Sequence, residues 1–165
     1  MKIDLHIHSA VSDGALSLED VFKEAAKRKI GFLAITDHDN VDSQEKAVKL
    51  AKAAKIRYVT GVELNVAFPY QGKSYSLDFL GYGYHYTNKA LREKLGVIRE
   101  HREKRGRQII NNLNGEFTKE GRQLFNDDDL LKMHEGIDGV LNRPHIADYL
   151  IKKGIVSTRQ EAFDK

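Results

Sequence analysis

The 165-residue chain has no cysteine, which excludes disulfides and thiolate zinc sites and suits a reducing compartment. It lacks an apolar run of signal-peptide length in its first residues, MKIDLHIH, and nothing later approaches the roughly 20 apolar residues of a membrane span. Neither sign of charge dominates. The formal net charge of +3 is too small to argue for nucleic acid by itself, although it does not oppose an anionic substrate. With 41% hydrophobic and 31% charged residues the composition is that of a globular domain, and the length suits one domain or a piece of a larger one. A cytoplasmic protein without a membrane partner is expected.

The chemistry gathers at the beginning of the chain. Lys2 to His8 reads as a strand. Because side chains alternate on a strand, His6 and His8 face the same way and can close on one ion, while Asp13 lies where the following loop can fold back over them. Neutral imidazole and carboxylate are the ligands of a catalytic divalent site. Taken alone, an H-x-H pair suits a partly buried polar pair equally well.

The succeeding elements favour the metal reading. Ser17 and Asp20 form an S-x-x-D start for a helix through about Lys29, whose apolar positions Leu18, Val21, Phe22, Ala25 and Ala26 keep the helical period. After Gly31, the apolar run Phe32 to Thr36 reads as a buried parallel strand that delivers Asp37, His38 and Asp39 at its end. Asp42 with Glu45 opens a second helix, and Arg57 to Val62 returns as a third strand ending at Glu63. Ligand-type residues thus stand at the C-terminal ends of three successive strands, where parallel α/β barrels build their active sites.

The stretches DLHIHSAVSDG, ITDHD and GVE resemble the first three motifs of the PHP family, the polymerase and histidinol phosphatase superfamily of metal-dependent phosphoesterases. The resemblance implies that His6, His8, Asp13, His38 and Glu63 are metal ligands at the mouth of a distorted seven-stranded barrel. Two or three divalent ions, manganese, zinc or iron, are implied, and Asp13 and His38 take the catalytic assignment. Asp37 and Asp39 are assigned to turn formation and to orienting His38 by hydrogen bonds. Asn65 to Tyr86, with Pro69 and a QGK turn, reads as a hairpin arm leading to a fourth strand. Where the family usually has a ligating histidine in this strand, the chain has Asp78, a harder ligand that shifts preference toward manganese or magnesium and weakens the third ion. His85 is read as a surface residue.

From Asn88 the pattern is helical, with Leu91, Leu95, Ile98, Ile109 and Leu113 as an apolar stripe beside a basic face. Arg99, Lys104 and Arg107 are read as solvated surface, and His101 and His134 as exposed helix residues. Arg102 and Arg105, spaced i and i+3, present two guanidinium forks on one side, suited to phosphate oxygens. Beyond Gly115 short helices are expected at Asp127 to His134, Pro144 to Lys153 and from Thr158. Asn142-Arg143-Pro144-His145 forms a helix start with free N–H groups, so Arg143 and His145 join the substrate-binding set. R-x-x-R and the stretch RPHIADYLIKKGIVSTRQEAF also resemble the helical insertion of one PHP subgroup, the 3′,5′-nucleoside bisphosphate phosphatases that act as 5′-to-3′ exonucleases on short RNA. Asn142 departs from that pattern, which often has glycine there.

The expected fold class is α/β: residues 1–86 as the N-terminal strands of a distorted (β/α)7 PHP barrel and residues 87–165 as a helical insertion. Only four strands are evident, and the further histidine and late Asp-x-His of the family are not in this sequence. Self-association, or completion by the missing barrel half, is therefore expected. The expected reaction is in-line hydrolysis of a phosphate ester by a water that divalent ions activate, on a small-molecule nucleotide bisphosphate or the 5′ end of a short RNA. Alternatives are a phosphatase of the histidinol-phosphate type and a non-catalytic PHP-like nucleotide- or RNA-binding module.

Overall fold

The computed structural model describes residues 1–135, 141 and 143–164. They form two compact units, Met1–Arg99 and Glu100–Lys165. The first unit opens with β1 (Lys2–Ile7), α1 (Leu18–Lys27), β2 (Ile30–Ile35), α2 (Gln44–Ala54) and β3 (Arg57–Tyr58). The three strands lie parallel in the order β1-β2-β3, with Asp4 opposite Leu33 and Leu33 opposite Tyr58. Leu18, Val21, Phe22 and Ala25 of α1 and Ala47 and Ala51 of α2 close on Leu33 and Ile35 of β2. Burying these side chains at about 25 cal/mol per Å² is what holds the helices to the sheet.

Local chemistry explains the helix ends. Ser17 caps α1 by accepting the Asp20 N–H, and Lys55 closes α2 in the left-handed region at φ 57°. Helix α2 begins at Gln44, two residues after the expected start at Asp42. The Asp42 carboxylate is engaged by Arg92 at 2.9 Å and Arg99 at 3.0 Å, so it does not cap, and Arg99 is not simply solvated surface. Ser43 stands at the N-cap without a capping bond because its hydroxyl donates elsewhere, to Asp37 at 3.0 Å.

The expected third strand divides. β3 is only two residues long, and after Val59 and Thr60 the chain resumes as β4 (Gly61–Tyr70) in the same parallel register against β2 and its extension, Arg57 opposite Phe32 and Glu63 opposite His38. Glu63 therefore lies inside a strand that runs on past it and not at a strand end. β4 pairs antiparallel with β5 (Lys73–Tyr82) across a two-residue turn, Gln71 and Gly72, with φ 47° and 74°, the positive angles that favour this hairpin geometry. Five strands are therefore formed by Tyr82, and among the described residues none follows. β4 begins against the extension of β2 through one parallel bridge, His38 to Glu63. Gly61 permits this approach: a Cβ there would stand 2.7 Å from the Ile35 carbonyl oxygen. The register places Leu64, Val66, Phe68 and Tyr70 of β4 on one face with Phe79, Leu77 and Tyr75 of β5, and most of that apolar face is exposed. The opposite face carries Glu63, Asn65 and Asp78.

Helix α3 (Lys89–Lys119) begins in the first unit, where Leu95 packs with Val41 and Val62. It runs through Gly115 without a break, contrary to the expected interruption there. The second unit contains the rest of α3, then α4 (Asp127–His134), α5 (Arg143–Lys152) and α6 (Arg159–Asp164), around Ile110, Met133, Leu141, Ile146, Tyr149 and Leu150. Asn126 and Asp129 form a reciprocal capping box at the start of α4. His134 is only partly exposed, 3.6 Å from Glu103, which departs from the expected exposed position. No helix is long and apolar enough to cross a membrane among the described residues.

Candidate metal centre

The end of β1, the loops after β1 and β2, and the start of β4 assemble the site. His6 lies in β1 and His8 one residue past its end, on the same side as strand alternation requires. The loop after them folds back, with Ser12 N–H and Gly14 N–H both donating to the Ser9 carbonyl at 3.0 Å. Gly14 is required by this return: a Cβ would stand 2.3 Å from the His8 carbonyl oxygen. The fold-back places Asp13 Oδ1 3.0 Å from His8 Nδ1. His38 and Glu63 are brought side by side by backbone pairing, Asp39 N–H to the Glu63 carbonyl at 2.8 Å and Glu63 N–H to the Asp37 carbonyl at 3.3 Å. Asp39 turns the chain here with φ 47°.

The donor atoms converge. Glu63 Oε2 lies 2.8 Å from His8 Nε2, 3.1 Å from His6 Nε2 and 3.6 Å from His38 Nε2, and the Glu63 side chain is only 7% exposed. The other carboxylate, Asp13, reaches His38 Nε2 at 3.7 Å with its second oxygen. The two Nε2 atoms of His6 and His8 are 3.1 Å apart, so at most one proton fits between them. Three imidazole nitrogens crowding one buried carboxylate oxygen form a donor set that a divalent cation satisfies better than protons do. Three overlapping groups each present ligand atoms within 4.8 Å of one another: His6, His8 and Glu63; His8, Asp13 and His38; His38, Glu63 and Asp78. Asp78 thus lies at the edge of the cluster, where Asn65 Nδ2 donates to it at 2.6 Å.

Burial alone would lower the His8 pKa, but the hydrogen bond to Asp13 and the charges of Asp13, Glu63 and Asp37 outweigh it and raise the value above the ordinary one. Asp37 differs from the expected role. Its fully buried carboxylate makes its hydrogen bonds with the loop serines Ser9 and Ser12 and with Ser43, not with His38. His38 Nδ1 is itself buried without a hydrogen-bond partner. Sequence reasoning passed over these serines; Ser9 and Ser12 have as their only signal the S-x-x-S spacing inside HSAVSD, and Ser43 has none. It also passed over Tyr82, whose hydroxyl donates to the Leu5 carbonyl at 2.7 Å and ties β5 to β1.

The remaining expected site residues belong to the second unit. Arg102 and Arg105 lie on α3, Arg102 half-buried and Arg105 exposed. Arg143 and His145 occupy the first turn of α5, and the Arg143 guanidinium stands 4.9 Å over the Phe163 ring. Asn142 lies outside the described residues. His85 is exposed and belongs to none of the three donor groups.

Comparison with known proteins adds an independent line. The family model described as PHP domain matches residues 4–155. The chain is 32% identical over 169 residues to a 3′,5′-nucleoside bisphosphate phosphatase of Chromobacterium violaceum, covering 99% of this chain and 54% of that protein. It is 31% identical over 164 residues to a 5′-3′ exoribonuclease of Haemophilus influenzae, covering 99% and 56%. The chain thus spans about half the length of these curated relatives. Among solved structures, an amidohydrolase from Chromobacterium violaceum with bound sulfate and no metal superposes with a TM-score of 0.84 at 30% identity, over 100% of this chain and 55% of that one.

Proposed function

The chain belongs to the PHP domain family, and on that premise we propose that it carries the metal centre of a phosphoesterase acting on a nucleotide, either a 3′,5′-bisphosphate or the 5′ end of a short RNA. The α/β architecture of an open parallel sheet with a helical unit is that of a partial PHP barrel. The observation that carries the reading is the meeting of three imidazole Nε2 atoms at Glu63 Oε2. The names of the relatives, phosphatase and exoribonuclease, support the substrate class.

His6, His8, Asp13, His38 and Glu63, with Asp78 at the edge, are the residues that would hold divalent ions. The three overlapping donor groups support two or three ions, and the mixed nitrogen and oxygen donors suit manganese, zinc or iron. When bound, such ions lower the pKa of a coordinated water and neutralise charge that develops on phosphoryl oxygens. The chain's own residues set the approach. The His6 side chain is 50% exposed whereas His38 and Glu63 are largely covered, so the ester enters from the His6 side. Asp13 and His38 approach each other at 3.7 Å within one donor group, which supports their shared catalytic assignment. Arg102 and Arg105, together with Arg143 and His145 at the start of α5, are proposed to grip phosphate through guanidinium forks and helix-start N–H groups. The exposed apolar hairpin face supports a partner in the form of further barrel strands.

His6→Ala and His8→Ala test the assignment. Each is expected to lower bound metal, measured by elemental analysis, and to reduce turnover of a nucleoside 3′,5′-bisphosphate at least tenfold. Unchanged metal stoichiometry in both variants overturns the site.

A further inference from the structure

We propose that Asp37 is a positioning residue for the metal centre, acting through Ser12 to hold the His8 ring with its Nε2 lone pair toward the ion. The proposal rests on the metal-site reading above and deepens it.

The Asp37 carboxylate is wholly buried and receives four hydrogen bonds: Ser9 N–H at 2.8 Å, Ser9 Oγ at 2.9 Å, Ser12 Oγ at 2.8 Å and Ser43 Oγ at 3.0 Å. All four donors are neutral. An ionised carboxylate only accepts, so each serine must aim its single hydroxyl proton at Asp37. For Ser12 that commitment has a consequence, because its oxygen also lies 3.3 Å from His8 Nδ1 and 3.4 Å from Asp13 Oδ1. With its proton given to Asp37 at the shorter distance, Ser12 can meet His8 only as an acceptor. Asp13 Oδ1, 3.0 Å from the same Nδ1, is an acceptor as well.

Both neighbours of His8 Nδ1 therefore require an N–H there. A neutral imidazole has one N–H, which leaves Nε2 with its lone pair directed among Glu63 Oε2 and His6 Nε2, at 2.8 and 3.1 Å. Without the Asp37 charge, the Ser12 proton is free to turn to Asp13 and to compete with His8 for the same oxygen. Ser43 donates to the other oxygen of Asp37, whereas the hydroxyl beside His8 Nδ1 is that of Ser12, so Ser43 separates clamping of the loop from orientation of the ring.

The test uses Zn2+ with the intact chain and the variants Ser12→Ala, Asp37→Asn, Ser43→Ala and His8→Ala. Two quantities are read: the Zn2+ dissociation constant, and the solvent exchange rate of the His8 Nδ1–H proton by NMR in the Zn2+-loaded chain. Ser12→Ala and Asp37→Asn are expected to weaken Zn2+ binding by about tenfold or more and to speed exchange of that proton. Ser43→Ala is expected to lower the melting temperature while leaving both readouts near wild type. Wild-type Zn2+ affinity in Ser12→Ala, equal losses in Ser43→Ala and Ser12→Ala, or ligation of Zn2+ through His8 Nδ1 would overturn the proposal. If His8→Ala binds Zn2+ as wild type does, the metal-site reading itself fails; if His8→Ala loses the ion and Ser12→Ala keeps it, only the relay fails.

Discussion

Replacing Tyr149 with phenylalanine removes one hydroxyl and leaves the ring contacts in place, which makes it a clean probe of what joins α4 to α5. The hydroxyl donates to Asp129 Oδ1 at 2.5 Å. Asp129 also belongs to the α4 capping box, and Lys153 Nζ stands 3.1 Å from the same oxygen. The Tyr149 hydrogen bond first, then the Asn126 N–H and Lys153, hold the Asp129 pKa at about 2, below its ordinary 3.8. A hydrogen bond to a charged group contributes about 1.5–3 kcal/mol, so Tyr149→Phe should destabilise the helical unit by that amount near neutral pH. In urea this is a midpoint shift on the order of 1 M, followed by far-ultraviolet circular dichroism. The pH dependence carries the sign. Because the folded value is depressed, the stabilisation is fully present above 3.8 and is lost as pH falls through about 2. In the variant Asp129 returns toward 3.8, so the gap between wild type and variant should close as pH falls from 4 toward 2. A gap of constant size across that range would refute the argument that the hydroxyl acts through the ionised carboxylate.

Gly14→Ala pushes a Cβ to within 2.3 Å of the His8 carbonyl oxygen, so the loop must shift; a loss of about 1–3 kcal/mol in thermal unfolding, with weaker metal binding, is expected. Arg102→Ala and Arg105→Ala should raise KM for a nucleoside 3′,5′-bisphosphate strongly and for an aryl phosphate much less, and equal effects on the two substrates would make the helix structural. Residues 1–165 alone should associate through the exposed Phe68, Leu77 and Phe79, and light scattering should show less association after Leu77→Ser with Phe79→Ser; a wild-type monomer would count against the exposed face as an interface.

The local periodicities were legible. The alternation of His6 and His8, the amphipathic pattern of α1 and the bounds Asp127 to His134 of α4 all follow from neighbours within a turn or two. Partnerships across the chain were not. Glu63 was read as a strand end because GVE looks like one, whereas the β-favouring run continues through Phe68 and pairs with β5. The Asp42 pairs with Arg92 and Arg99 span some fifty residues and leave no local trace. The three serines around Asp37 were invisible for another reason: serine is common in loops, and only the buried carboxylate gives their hydroxyls a direction.

The bridge between His38 and Glu63 bears on how the proposed centre would respond to removal of its ions. These two side chains are kept adjacent by amide-to-carbonyl bonds on either side of them, bonds that a chelator does not touch. In small zinc modules the free energy of binding is the free energy of folding, and stripping the metal unravels the chain. Under the proposed assignment the backbone pairing would bear that load here, and a chelator that strips the ions is expected to leave the secondary structure, followed by circular dichroism, in place.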